Sequence, residues 1–495
     1  MLLTDILIRN AEECPEKTAI IYEDQLISYQ TVYEHSVFLA NFLSGAGIEK
    51  GDTVCLLLRK TPELIISFLG VAAIGGIVVP IDASQPPHRL QQLIDFISPS
   101  AMIADAGFQA MFAGLDNPCA NEKVIVVGKG IGAPYRKWDE IFVENKNQPL
   151  NVSLHEDDPV YFNLTSGTTG MPKCAVTTHD NIYWNTLASI ECLDLTRDDI
   201  HLCMFPPFLH PHEIFARPFY LGGTLVLADY VSPKSLSKVI LENNVTCVMA
   251  TASICETLLR HHQSTSTDFT RLRFCESGGM PTCPEFARQF KERFQAPIVP
   301  VWGSTETTGI ALATHPKGPF KAGAMGTVCP YYEAKIVDKE GRELPPDMVG
   351  ELAVKGPGVC SHYFNNPEET GNHMKDGWYF TGDLVKKDDE GFYFFVDRKT
   401  RMMKVGGLKV FPAEIEQVLN AHPGIDQAVV VNVRNDTYGE VPKAIIVLKN
   451  GTPLNKNDIR NYCKDNMAAY KVPRFFEFRD SLPRTPGGKI ILKEL

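Results

Sequence analysis

At 495 residues, with 44% apolar and 22% charged side chains, the chain has the make-up of a folded protein with a large core, long enough for about three domain-sized units. Its net charge of −11, from 48 basic against 59 acidic residues, argues against a nucleic-acid-binding surface and requires any anionic ligand to be held in a focused local site. The 13 cysteines occur singly with no CxxC pair, and no uncharged apolar run reaches ~18 residues, so a disulfide framework, structural zinc and a membrane span are not expected.

In chain order, residues 1–17 (MLLTDILIRNAEECPEK) carry Asp5 and lack a basic segment leading into a long apolar run. They predict an amphipathic helix rather than a signal peptide, and with it a cytoplasmic location. From 29 to 127, helical spacing at 29–43, 62–74 and 86–96 alternates with apolar strands at 53–58, 77–80, 102–104 and 124–127. Gly75-Gly76 closes the second helix, and 117–122 reads as a loop. This βαβ rhythm places the chain in the α/β class, with a parallel sheet covered on both faces.

The next stretch is the most unusual. Val160, Tyr161, Phe162 and Leu164 read as a strand end, and Cys174-Ala175-Val176 as another strand. The nine residues between, TSGTTGMPK at 165–173, are hydroxyl, glycine, proline or lysine apart from Met171. Gly167 and Gly170 let the backbone approach a ligand closely. Thr165, Ser166, Thr168 and Thr169 supply hydroxyls, successive backbone N–H groups can cradle an anion, and Lys173 adds a positive charge. A phosphate cradle and a plain polar turn both fit this composition. A Walker A loop does not, because Pro172 precedes Lys173 and Cys174 follows it.

Residues 180–330 repeat the rhythm, with strands at 200–205, 224–227, 247–250 and 273–276 and helices at 233–243 and 284–294. Two turn-rich spots follow strands, Ser277-Gly278-Gly279 and Trp302-Gly303-Ser304-Thr305-Glu306, where parallel sheets gather ligands. From about 320 to 398 short strands at 334–337, 350–355, 378–380 and 392–396 predict a small β-rich subdomain. After DRKTR at 397–401 come helices at 412–421 and 456–467 and strands at 426–433 and 444–448, a compact α+β unit of roughly 95 residues. Domains are therefore expected at 1–398 and 399–495, joined by a tight hinge.

Five motifs now stand in one order: TSGTTGMPK (165–173), WGSTE (302–306), YFTGD (379–383), DRKTRMMK with VGG (397–407), and PRTPGGK (483–489). Together they resemble the AMP-forming adenylating enzymes, which include acyl- and aryl-CoA ligases, peptide-synthetase adenylation domains and beetle luciferases. The resemblance covers nearly the whole chain. It implies a large domain of parallel α/β sheets with a β-rich subdomain, and a small mobile C-terminal domain. It also implies a reaction in which a carboxylic acid attacks ATP, giving an acyl-adenylate and pyrophosphate, after which CoA or a carrier-protein phosphopantetheine displaces AMP.

Carried over residue by residue, the resemblance gives the 165–173 loop the β- and γ-phosphates, Thr305 the α-phosphate, and Glu306 a Mg²⁺ ion. Trp302 stands where the family has tyrosine packed on adenine, and indole keeps the stacking face; Gly303 and Ser304 belong to the same segment. Ser277, Gly278 and Gly279 match the backbone beside the base, Asp383 matches the carboxylate that accepts from both ribose hydroxyls, and Arg398 matches a second contact, to ribose or phosphate. Lys489 matches the lysine that bridges the attacking carboxylate and the α-phosphate. Lys404, Gly406 and Gly407 match the segment serving the thiol step, while Thr400 departs from the Asp or Lys usual at the hinge.

The acid itself is the least legible substrate. FPPFLHPHEIF at 205–215 stands where the family has an aromatic–His segment beside the carboxylate, so the resemblance implies that His210 or His212 gates or contacts the acid. Phe208 or Leu209 stands where amino-acid-activating relatives have Asp, which argues against an α-amino acid; Glu213 is a weaker candidate for such a contact. Residues 70–90 look closer to carrier-loading domains and 394–416 closer to CoA ligases. An acid–CoA ligase is the leading expectation, with a stand-alone carrier-loading enzyme as alternative; a luciferase-like oxygenase and a degenerate binding protein have less support. A small carboxylic acid and, in the alternative, an acyl carrier protein are the expected partners, with monomer and homodimer both open.

Overall fold

A computed structural model describes the chain except residues 117–118, 130–133, 145–151, 166–172, 230–231, 263–268, 280–281, 406–407, 436–438, 450 and 485–489, with backbone alone at 143, 144, 165 and 493. It falls into two compact units, one of residues 1–333 with 354–379, the other of 334–353 with 380–495. No described helix is long and apolar enough to cross a membrane.

The first unit holds two sheets. In one, the strand order is Arg136–Lys137, Val124–Val127, Ala101–Asp105, Thr53–Leu57, Ile77–Pro80, Pro159–Thr165, Lys173–Thr178. All neighbours are parallel except the last pair. The continuous Val/Ile/Leu runs explain this, since strands covered on both faces need no polar alternation, and Thr53–Leu57 and Ile77–Pro80 are buried throughout. The second sheet runs, within this unit, Ala324–Val328, Gly309–Ala313, Ile298–Ser304, Phe274–Gly278, Cys247–Thr251, Ile200–Cys203, Thr224–Leu227, Thr18–Tyr22, Gln25–Ser28. Its centre is parallel and its ends antiparallel.

Two sequence expectations are corrected here. Ser277 and Gly278 finish the strand Phe274–Gly278, and Trp302, Gly303 and Ser304 finish the strand Ile298–Ser304; neither is a turn. The reason for the second is the antiparallel pairing of 301–304 with Gly309–Ala313, with a register shift at Trp302/Gly303. Only Thr305–Thr308 leave the ladder, through one 3-10 turn at Thr305–Thr307. Gly303 is required for that closeness: a Cβ there would fall 2.2 Å from the Gly309 carbonyl oxygen.

The helix Pro211–Leu221 was not apparent from periodicity. Every residue from Pro211 to Phe219 is buried, including His212, Glu213 and Arg217, and Pro218 lies inside the helix. A helix covered all round shows no apolar stripe. Its Phe215 and Phe219 join Phe68, Tyr29 and Tyr161 in a ladder of edge-on and tilted rings 5.3–5.6 Å apart. Such pairs add about 0.5–1.5 kcal/mol each beyond area burial, so the helix is held against the helices Tyr29–Gly45 and Pro62–Ala73.

The second unit carries most of the strands Gly350–Lys355, Trp378–Lys387 and Tyr393–Arg398, then a sheet ordered Leu408–Val410, Met403–Val405, Gly439–Leu448, Ile425–Asn435, with Phe475–Phe478 beside Gly439–Leu448. The helices Pro412–Asn420 and Lys456–Asn466 share its core through Ile415, Leu419, Ile459 and Cys463. The Ala413 N–H donates to Asp397 at 2.8 Å, and Arg401 pairs with Glu416 at 2.5 Å. These contacts tie residues 397–401 to the Pro412–Asn420 helix.

Candidate active site

Thr165 and Lys173 pair in register across the antiparallel strands Pro159–Thr165 and Lys173–Thr178, so the two ends of the TSGTTGMPK segment meet. Ser166, Gly167, Thr168, Thr169 and Gly170 lie outside the described residues. The Lys173 ammonium is paired with Glu369, lies 3.4 Å from His373 Nε2, and sits 5.4 Å from the centre of the Tyr363 ring. Lys173 holds the Glu369 carboxyl below its ordinary range, through a hydrogen bond first and charge second. Glu369, His373 and Tyr363 had no signal in the sequence, because they lie about 200 residues downstream, the first two on the short helix Pro367–His373 and Tyr363 just before it, in a bridge with Ala175.

Glu306 sits on the 3-10 turn and is buried, 8% exposed. The Tyr363 hydroxyl donates to its Oε1 at 2.6 Å, and its backbone carbonyl accepts from Cys360 N–H at 2.8 Å. Burial, then the charge of Glu306, pushes the Tyr363 phenol upward, so it stays a proton donor. Among the described residues no lysine, arginine or histidine forms an ion pair with Glu306. A buried carboxylate without a counter-cation is costly. It suits a hard divalent cation bound through oxygen, completed by phosphate oxygens and water. No group of three or more His, Cys, Asp or Glu able to hold a metal occurs among the described residues.

The neighbouring residues divide in orientation. Ser304 and Thr307 bond reciprocally, N–H to hydroxyl, at 2.9 and 3.3 Å, so the Ser304 hydroxyl caps its own turn. Thr305 and Trp302 are half-buried. Ser277 is buried, and its hydroxyl accepts from Thr282 at 3.0 Å. Only the backbone beyond it opens outward: Gly279 has φ +80° with open space where a Cβ would be. A side chain at Gly278 would stand 3.3 Å from Val301, directly before Trp302.

The two candidate histidines meet the strand Pro159–Thr165. Asn163 Nδ2 donates to His210 Nδ1 at 3.1 Å, and Tyr161 shares a 2.8 Å hydrogen bond with His212 Nδ1. His212 is fully buried, and burial holds it well below its ordinary range, so it is a neutral ring fixed to Tyr161. His210, at φ +49° before the helix, is partly exposed.

One residue further on lies a cluster that the sequence did not reveal in full. Arg217 Nη1 donates to both oxygens of Glu276 at 2.9 Å, and Nη2 donates to Glu213 Oε1 at 3.1 Å. All three are at most 6% exposed. The Glu-x-x-x-Arg spacing of 213–217 was the available signal; nothing local pointed to Glu276. Beside the cluster a cavity of ≈ 10 Å³ is lined also by His201, Cys203, Cys247 and Met249.

Burial pushes the Glu213 carboxyl up to about 7, against the pull of Arg217 and with the push of Glu276. Folded Glu213 thus retains a proton that the unfolded chain releases near pH ~4.3. The folded form binds the extra proton between those values, so stability from this group is full below the window and is lost as pH rises through it. Glu213→Gln is expected to flatten the fall in unfolding free energy between pH 5 and 8 by up to about 3 kcal/mol. Urea titrations of both proteins at the two pH values measure it; parallel curves would mean that Glu213 titrates normally.

In the second unit, Asp383 is buried and pairs in register with Arg398 across their strands. Arg398 Nε lies 2.5 Å from Asp383 Oδ1, with a half-exposed guanidinium. The structure thus brings together the two residues named for ribose. Lys404 is exposed, its N–H donating to Glu440 at 3.0 Å, and Thr400 is exposed in the turn after Arg398. Gly406, Gly407 and Lys489 lie outside the described residues.

Comparison with known proteins adds three findings. Residues 7–364 match the AMP-binding enzyme family and residues 414–489 the AMP-binding enzyme C-terminal domain. The chain is 30% identical over 527 aligned residues to a long-chain-fatty-acid–CoA ligase of Bacillus subtilis, covering 100% of this chain and 94% of the relative. It is 32% identical over 496 to a crotonobetaine/carnitine–CoA ligase of Escherichia coli, covering 97% and 96%. Among solved structures, the anthranilate CoA ligase AuaEII in complex with anthranoyl-AMP superposes with a TM-score of 0.92 at 26% identity, covering 99% of this chain and 95% of that one.

Proposed function

The chain belongs to the AMP-binding enzyme family, and from that premise we propose how its residues share the work of an AMP-forming acid–CoA ligase. The enzyme activates a small carboxylic acid with ATP to an acyl-adenylate and transfers the acyl group to CoA. The carrier-loading alternative draws no support, since the relatives above are named as CoA ligases. A cytoplasmic site of action fits this chemistry.

The observation that carries the assignment of roles is Glu306, a buried carboxylate with no cationic partner among the described residues. Glu306 would hold Mg²⁺ together with phosphate oxygens; when bound, the ion offsets charge on the phosphates. Thr305, next to it, donates its hydroxyl to the α-phosphate. Lys173 and the 165–173 loop take the β- and γ-phosphates, and Lys173 must exchange Glu369 for phosphate to do so. Trp302 stacks on adenine, with Gly278 and Gly279 offering backbone at its edge. Asp383 accepts from the ribose diol, as a carboxylate does best, and Arg398 orients Asp383. His210, partly exposed where His212 is not, faces the acid. Lys489 draws the acid's carboxylate to the α-phosphate, and Lys404, Gly406 and Gly407 serve the thiol after the C-terminal residues 399–495 turn about 398–401. Thr400 stands at that hinge.

The test is pyrophosphate release and thioester formation, acid by acid, with and without CoA. Acid-dependent pyrophosphate and CoA-dependent thioester are expected; no release with any acid would overturn the reading. Asp383→Ala should raise the KM for ATP at least about tenfold with kcat less affected. Ordinary ATP saturation in that variant removes the ribose role.

A further inference from the structure

The roles assigned above leave out all 13 cysteines, each of which is free. Two of them face each other. The Cys329 thiol donates to Cys192 Sγ at 3.5 Å, although the two residues are 137 positions apart. Cys192 ends the helix His179–Cys192 and is half-buried, whereas Cys329 follows the strand Ala324–Val328 and is 3% exposed. One sulfur is open to a small reagent and the other is sheltered behind it. A second pair, Cys255 and Cys275, is buried on both sides and offers no such opening.

The segments that bear the first pair are locked together, and both hold the turn that carries Glu306. Trp184 and Tyr331 have ring centres 5.0 Å apart, and the Tyr331 hydroxyl donates to Glu191 Oε1 at 2.5 Å. These contacts keep the two sulfurs in register. From the helix, Asn185 Nδ2 donates to the carbonyls of Thr307 and Ile310 at 3.3 and 3.0 Å. From the other segment, the Tyr332 hydroxyl donates to the same Thr307 carbonyl at 2.9 Å, and Cys329 N–H donates to the Ala311 carbonyl at 2.9 Å. Any shift of Cys329 toward the helix is therefore passed to Thr307 and Ala311, and so to Glu306 beside them.

A half-exposed thiol with a second thiol in contact is suited to reversible oxidation by peroxide. In the first step the Cys192 thiolate attacks hydrogen peroxide. An S–O bond forms, the O–O bond breaks, and the departing hydroxide takes a proton to leave as water. In the second, the Cys329 sulfur attacks the Cys192 sulfenic acid; its proton passes to the departing hydroxyl, which leaves as a second water. The two thiols have then lost two electrons and two protons to one peroxide. The hydrogen bond to Cys192, then burial, holds the Cys329 thiol well above its ordinary range, so it keeps its proton until that second step. Bond formation draws the sulfurs closer than their present contact.

We propose that Cys192 and Cys329 form a peroxide-sensitive thiol switch, whose disulfide pulls on the Glu306 turn and slows acyl-adenylate formation until a thiol reductant reopens it. The effect on rate rests on the ligase reading above; formation of the disulfide does not.

The experiment treats the full-length protein with hydrogen peroxide, maps its cross-linked peptides by mass, and follows acid-dependent pyrophosphate release before and after dithiothreitol. A peptide joining 192 to 329 is expected, with release slowed about tenfold or more and recovered on reduction. Cys192→Ser and Cys329→Ser should form no such peptide and keep their activity under peroxide. Cys283→Ser, which removes an exposed thiol, should respond as wild type does. Oxidation of Cys283 without any 192–329 peptide overturns the proposal. So does the peptide with release unchanged, or an equal loss of activity in the two serine variants. If the reduced protein releases no pyrophosphate with any acid, the ligase reading fails and takes the effect on rate with it, whereas the disulfide stands or falls on the mass of the peptide.

Discussion

Lys489→Ala is expected to slow acyl-adenylate formation by about 10²–10³-fold while transfer from preformed acyl-AMP to CoA stays within a few-fold of wild type. The first half-reaction brings an anionic carboxylate onto an anionic α-phosphate. A cation between them offsets repulsion that grows as charge develops on the phosphate oxygens, and loss of one such preorganised group costs ~10²–10³ in rate. The second half-reaction has no such pair, because the adenylate is already formed. Gly487-Gly488 before the lysine fits a group that is delivered only when needed. Single-turnover assays of the two steps separate the outcomes; equal losses in both would contradict the role.

The second large effect is on stability. Arg217→Met removes the guanidinium shared by Glu213 and Glu276 and leaves two buried carboxylates facing each other. Breaking a buried pair from one side costs about 3–5 kcal/mol, a large share of the ~5–15 kcal/mol that holds a domain together. The sign with pH follows from protonation. Without Arg217 both carboxyls are pushed further up, so the folded form binds more protons than the unfolded chain, and stability returns as pH falls from 8 toward 5. Adding Glu276→Gln to Arg217→Met should recover part of the loss at pH 8. Denaturant midpoints across pH read this out; a variant as stable as wild type at pH 8 would mean that the cluster is not charged as described.

Most of the fold was legible because parallel strands and amphipathic helices announce themselves. Val-Cys-Leu-Leu at 54–57 and Ile-Val-Val at 77–79 could only be buried strands, and 284–294 was bounded by Pro284 and a clear apolar face. What failed was burial that hides periodicity. The Pro211–Leu221 helix places His212, Glu213 and Arg217 inside the protein, so it reads as a loop with stray charges. The nucleotide-side residues were legible through motif order, since WGSTE and YFTGD are contiguous. The partners that set their electrostatics were not: Tyr363 against Glu306, Glu369 against Lys173 and Glu276 against Arg217 lie about 57, 196 and 59 positions apart, and no local pattern carries a contact of that range.

The close approach at Gly303 has a bearing on how this enzyme could be retuned. Positions 303 and 309 touch through bare backbone, and the loop they pinch off carries Glu306. A side chain at 303, which would meet the Gly309 carbonyl oxygen at 2.2 Å, would pry that hairpin apart and shift Glu306, whereas one at 309 would press on the Glu213 and Asn185 side chains instead; on the role proposed for Glu306, the first change blunts ATP use.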